Sequence, residues 1–168
     1  MIAKPNQEAS TAEGGIRATS SWLICRCGSY LCGLPLARVV ETMRPLPIQS
    51  LLDAPAFIKG VAVIRGVALP VVDAAALTGG SASTDVQRLV TVKVAEGRQA
   101  SVAVDAVLGI RAIDAGGVAA MPPLLRNAHA EVVSALGVLD AGLLLFLETA
   151  RLIPDAVWRE LATRGAAL

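Results

Sequence analysis

The side chains that could do chemistry in this 168-residue chain are few, and most stand far apart. Cys25, Cys27 and Cys32 fall within eight positions, a density at which thiolates can hold a soft metal. Such a site needs about four ligands at spacings like C-x2-C, and the single histidine, His129, lies far along the chain. On a strand, residues i and i+2 share a face, so Cys25 and Cys27 read as plain buried thiols in a reducing compartment. Nucleophilic catalysis needs a nucleophile, a base and an orienting group in mutual reach. Neither a G-x-S-x-G elbow nor a G-x-x-x-x-G-K phosphate loop is present, and Asp73, Asp105, Asp114 and Asp140 are too scattered to argue a carboxylate pair. The expectation is no enzyme, no metal and no cofactor. One charged pair does stand out. Arg65 ends an apolar run, where a rigid guanidinium fork can make several directed hydrogen bonds, and Glu41 is an available partner. Spacing alone leaves open that both are solvated surface charges.

The elements that must position these groups are short. Residues 22–27 and 30–34 read as strands around a Gly28-Ser29 turn. Pro35 suits the first position of a short helix, with Leu36, Val39, Val40 and Met43 on one stripe and Pro45 and Pro47 ending it; Glu41 then sits near the helix end. Residues 61–65 and 68–73 read as a hairpin around Gly66-Val67, a type II′ turn. In that hairpin Val61, Val63 and Arg65 share one face, and Ala62 and Ile64 the other. Pro70 lacks an N–H, so its strand is expected to be an edge or bulged there. Gly79-Gly80-Ser81-Ala82-Ser83 reads as a mobile loop. Further strands are expected at 89–94, 100–104, 107–112, 132–139 and 143–147, with a helix from Pro154 to about Arg164. Many short strands with Gly and Pro turns argue for an all-β barrel or sandwich.

Composition narrows the function class. The chain is 54% hydrophobic, 17% charged and 3% aromatic, with a mean hydropathy of +0.60. Its aliphatic excess leaves apolar surface for partners. Net charge is +1 from 15 basic and 14 acidic residues in no blocks, without the basic and aromatic stripe of a nucleic-acid binder. The near-apolar stretch from Gly60 to Leu77 is broken by Arg65, Pro70 and Asp73, short of the ~20 residues that cross a bilayer. No direct membrane insertion is expected. Residues 1–20 lack an apolar segment and read as a flexible tail rather than a signal peptide, which predicts a cytoplasmic protein.

The most informative stretch runs Ala54-Pro55-Ala56-Phe57-Ile58-Lys59-Gly60-Val61-Ala62-Val63-Ile64-Arg65-Gly66-Val67-Ala68-Leu69-Pro70-Val71-Val72-Asp73. It resembles the central signature of the CheW-like family, P-x-F-I-x-G, a hydrophobic-R-G step, then P-hydrophobic-hydrophobic-D. Tyr30 to Leu36 with Val39 and Glu41, Val104-Asp105-Ala106-Val107, Met121-Pro122-Pro123 and Leu144 to Leu147 match further family elements in order. The resemblance implies two intertwined five-stranded SH3-like barrels, with a short helix after the second strand and a C-terminal helix. It divides the chain into a tail (1–20), a CheW-like domain (21–153) and a helix (154–168). It also implies a non-enzymatic scaffold joining the cytoplasmic tip of a chemoreceptor to a CheA-type histidine kinase. Val39, Glu41, Gly60, Arg65 and Gly66 carry over as receptor-binding residues; the kinase face is not assigned. Gly60 and Gly66 serve either as turn glycines or by letting a receptor helix lie close. Two positions depart from the family: Val63 stands for an Asn, and Ala75 for a frequent Arg. They keep two alternatives in view, a paralogue adaptor of a surface-motility or second-messenger array, and a generic small-barrel peptide-binding module.

Overall fold

Alternate side chains of the first strand, β1 (Thr19–Cys27), enter two different cores. Trp22 and Ile24 pack with Phe146 and Leu144, while Leu23, Cys25 and Cys27 pack with residues from the other half of the molecule. A strand buried on both faces reads as a nearly continuous apolar run.

The computed structural model describes residues 18–121 and 132–165. The strands in chain order are β1, β2 (Tyr30–Pro35), β3 (Val39–Met43), β4 (Ile58–Ile64), β5 (Val67–Asp73), β6 (Arg88–Lys93), β7 (Gln99–Val104), β8 (Ala106–Asp114), β9 (Ala119–Ala120), β10 (Val133–Leu139) and β11 (Gly142–Leu147). Helix α1 (Ala74–Leu77) follows β5, and α2 (Asp155–Gly165) follows β11. One sheet has the order β8-β1-β2-β11-β10-β9, the other β3-β6-β7-β5-β4. Each is antiparallel apart from one central parallel pair, β2 with β11 and β5 with β7. The chain begins in the first sheet, builds the whole of the second, and returns at β8. The sheets are thus intertwined, as expected, although the first has six strands because the two-residue β9 joins it.

Each sheet encloses its own core, and a third core lies between them. Ala62, Ile64, Leu69, Val71, Leu89 and Ala103 fill the five-stranded barrel. Ile24, Leu144 and Phe146 fill the six-stranded one, with Trp22 edge-on to Phe146 at 4.6 Å between centroids. The largest cluster joins the two and includes all three cysteines. The C-terminal helix seals this middle layer through Val157, Trp158 and Leu161, and Arg98 stacks 4.7 Å from the Trp158 ring.

Three local expectations are corrected. The helix after β2 is a single 3-10 turn, Leu36–Arg38, and residues 39–43 form β3. The apolar positions 36, 39, 40 and 43 fit either period, but Val39, Val40 and Thr42 are β-branched and lose rotamer freedom in a helix. Pairing with β6 decides between the two, helped by a register shift between Val39 and Glu41. The β4–β5 turn is Arg65-Gly66, with Ile64 opposite Val67 and positive φ at both central residues (50° and 79°), the type I′ geometry. Pro70 explains the register. In a two-residue hairpin the closing pair is hydrogen-bonded and bonded pairs alternate, so Pro70 falls opposite Val61 at a position where its missing N–H costs nothing. A turn at Gly66-Val67 puts Pro70 opposite Val63, where an N–H is required. For the same reason β5 is neither an edge nor bulged at Pro70: the ladder to β7 begins one residue later, at Val71.

Three expectations fall partly outside the described residues: the tail, for residues 1–17, the Pro-rich turn at Pro122-Pro123, and His129.

Candidate partner-docking site

β3 and β4 are the two edges of the five-stranded sheet, and the barrel closes where they meet. Two contacts close it. Gln49, on the segment that leaves β3, forms an antiparallel bridge with Val61, each N–H donating to the other's carbonyl at 2.8 Å. At the tip, Arg65 reaches back to β3. Its Nε donates to Glu41 Oε1 at 2.8 Å and its Nη2 to Glu41 Oε2 at 2.7 Å, a bidentate fork. The hydrogen bond from Arg65 holds the Glu41 carboxyl below its ordinary value, and the same bond raises the Arg65 guanidinium.

The pair is open to solvent: the Arg65 side chain is 80% exposed and that of Glu41 22%. Among the described residues nothing meets Arg65 Nη1. Around the pair lies a shallow concavity of about 350 Å³, lined by Val40, Glu41, Ile64, Arg65, Val67 and Gln99. Val40, Val63 and Val67 are exposed large apolar side chains, Val63 at 63%. The surface is thus a bidentate ion pair with Val40 and Val67 beside it, while Val63 projects from the opposite face of β4.

Of the five residues singled out from sequence, the structure brings Glu41, Arg65 and Gly66 together. Gly66 needs its left-handed φ, and an added Cβ there meets nothing within 4 Å, so the turn faces open space. Val39 begins β3 half-buried and packs toward the middle core. Gly60 is buried on β4 at φ 139°, where a Cβ would sit 2.0 Å from the Gln49 carbonyl oxygen. Its bare Cα is occupied from within the chain and supports the Gln49 bridge. Ala75, at the other departure from the family, is buried on α1 against the β1–β2 turn and does not line the concavity.

Sequence reasoning missed Val40, Val67 and Gln99 on this surface, and Lys59 and Ser83 elsewhere. Val40 was recoverable from β-branching at 39–40. Lys59 and Ser83 had no signal, because what joins them is tertiary. The segment 79–83, expected to be mobile, is pinned at Ser83: its N–H donates to Asp73 Oδ2 at 2.8 Å, its carbonyl accepts from Lys59 Nζ, and its hydroxyl proton is shared between Asp105 Oδ1 and the Asp85 carbonyl, each at 3.2 Å. Asp73 also caps α1 through the N–H groups of Ala75 and Ala76. The two signature aspartates therefore meet at one serine.

The cysteines are free and buried. Burial, with Cys32 adding to it, pushes the Cys25 thiol up to about 12; the Cys27 thiol is raised by its hydrogen bond with Cys32 and by burial. Among the described residues no group of His, Cys, Asp and Glu could hold a metal ion. No helix among them is long and apolar enough to cross a membrane.

Comparison with known proteins places this geometry. The family model described as the CheW-like domain matches residues 21–157. Protein FrzA of Myxococcus xanthus is 35% identical over 126 residues, 74% of this chain and 77% of that protein. The crystal structure of the scaffolding protein TtCheW from Thermoanaerobacter tengcongensis superposes with a TM-score of 0.67 at 22% identity, covering 81% of this chain and 98% of that one. That likeness is one of fold.

Proposed function

The chain belongs to the CheW-like family, and from that premise we propose that it is a non-enzymatic adaptor coupling a chemoreceptor-type sensor to a CheA-type histidine kinase. The observation that carries the reading is the exposed Arg65–Glu41 fork with Val40 and Val67 beside it. A bidentate ion pair whose Nη1 meets nothing among the described residues offers a directed donor, and the valines offer area that gains by leaving water. Glu41, Arg65 and Gly66 meet the receptor tip in this reading, while Val39 and Gly60 hold β3 and β4 in place behind them. The work is done in the cytoplasm at a receptor array, without a cofactor. Weak individual contacts suffice, because assembly in an array supplies avidity.

A second reading, a paralogue adaptor serving a surface-motility or second-messenger array, is favoured by Val63. A 63% exposed valine two residues before Arg65, on the opposite face of the hairpin from Val67, suits a more apolar partner than an asparagine does.

Co-sedimentation tests both. Vesicles bearing the cytoplasmic part of a receptor from the same cell are mixed with its CheA-type kinase, with and without the chain. The chain is expected to carry kinase into the pellet, and Arg65→Ala to weaken receptor association at least about tenfold while still melting cooperatively within a few degrees of wild type. Unchanged receptor affinity in Arg65→Ala removes the assignment of that surface. Failure to capture any such kinase, with free peptides bound instead, replaces the adaptor by a peptide-binding module.

A further inference from the structure

A line of hydrogen bonds runs from one barrel to the other. It begins at Lys59 on β4, whose Nζ donates to Asp73 Oδ2 at 3.1 Å and to the Ser83 carbonyl. Asp73, fully buried, also accepts the Ser83 N–H. Ser83 Oγ passes the line to Asp105 Oδ1 at 3.2 Å, its single proton shared with the Asp85 carbonyl at the same distance. Asp105 is the single residue between β7 and β8, where the chain leaves the five-stranded sheet for the six-stranded one. Its Oδ2 accepts the Gly28 N–H at 2.7 Å, and its own N–H donates to the Arg26 carbonyl at 2.9 Å, so the line ends on the β1–β2 turn.

We propose that this line is a coupling device. Ser83 positions Asp105, Asp105 positions the β1–β2 turn, and a displacement of β4 at Lys59 is felt at Gly28. Both oxygens of Asp73 and both of Asp105 are engaged, so neither carboxylate can turn to follow one partner without leaving another. Ser83 stands among exposed neighbours, Ala82 and Thr84, yet its amide, carbonyl and hydroxyl are all used. The β1–β2 turn also lies against Ala75 of α1, whose N-cap is Asp73, so the same two regions touch by packing as well. Hydrogen bonds that share members reinforce one another, and loss of one propagates to the next.

Amide hydrogen exchange by NMR on the full chain tests this with wild type, Ser83→Ala, Lys59→Met and Arg65→Ala. Ser83→Ala deletes only the hydroxyl and keeps both backbone bonds of Ser83. The Gly28 amide is expected to exchange roughly two- to tenfold faster in Ser83→Ala and in Lys59→Met, the worth of about one net hydrogen bond. Arg65→Ala, off the line, leaves it unchanged. The Ser83→Ala/Lys59→Met double variant is expected to be less than additive at Gly28. A merely structural Ser83 speeds exchange across β4 and β5 alike, whereas coupling singles out the β1–β2 turn. Unchanged exchange at Gly28 in Ser83→Ala, or a change there that Lys59→Met does not reproduce, overturns the proposal. Lys59→Arg, which keeps the charge and moves the donors, substitutes where Lys59→Met does not fold. Every arm uses the free chain, so failure of the receptor assignment leaves this test intact.

Discussion

Lys59 and Arg65 stand at opposite ends of β4, and each pairs with a carboxylate on another strand. Lys59 meets Asp73, whose side chain is 0% exposed and which two α1 amides and Ser83 also hold. Arg65 meets Glu41 in a good bidentate fork, yet its side chain is 80% exposed and nothing else among the described residues fixes it. The difference is one of alternatives. A buried carboxylate has no water to fall back on, so each bond it makes is needed for folding. An exposed pair exchanges protein for water at little net cost, and can therefore be spared for a partner.

Variants that remove one member from each pair break or sharpen that contrast. Asp73→Ala is expected to cost about 3 kcal/mol in urea unfolding, since it strands Lys59 and uncaps α1. A loss under about 1 kcal/mol erases the distinction between the two pairs. Gly60→Ala, on the strand joining them, is expected to cost about 1–3 kcal/mol by forcing Gln49 off β4. Chemical shifts that stay native at Gln49 in a fully stable Gly60→Ala contradict the closure described for the barrel. Arg65→Ala should cost less than either, because its pair is open to water. Its acid limb gives a finer reading. The folded carboxyl of Glu41 titrates below the ordinary 4.5, so the fork's contribution is fully present above that pH and fades as pH falls through the lower folded value. Wild type and Arg65→Ala are thus expected to converge in stability in acid; a gap that widens there reverses the sign. The smallest effect concerns a second type I′ hairpin, Asp140-Ala141 between β10 and β11, with φ of 48° and 62° and no ion pair among the described residues to hold it. Ala141→Gly relieves a left-handed alanine and is expected to stabilise by about 0.5–1 kcal/mol in thermal unfolding, with destabilisation counting against a strained turn.

Much of the fold was legible from residue pattern. Leu23, Cys25 and Cys27 share a face in the structure as their spacing required, and so do Ala62 and Ile64 opposite Val63. What pattern misread were places where two periods coincide or where a turn has two registers. Residues 36–43 fit a helix and a strand equally until β6 supplied a ladder. The Gly66-Val67 turn looked as good as Arg65-Gly66 until the alternation of bonded pairs was counted from Pro70. That count was available in the sequence, and a proline in a hairpin is worth counting from. The Arg65–Glu41 pairing was foreseeable as chemistry and unforeseeable as geometry, because the two lie on opposite edges of one sheet.

By itself, then, the sequence determined an all-β chain with short strands, two-faced burial, inert thiols and a fork-forming arginine beside a turn, since each follows from local period, size and valence. Only the tertiary structure decided that Gly60 yields its space to Gln49, that Ser83 is a junction rather than a mobile loop residue, and that Asp73 and Asp105 lie on one line. Those outcomes depend on which distant segments arrive at the same place, and a linear pattern carries no term for that.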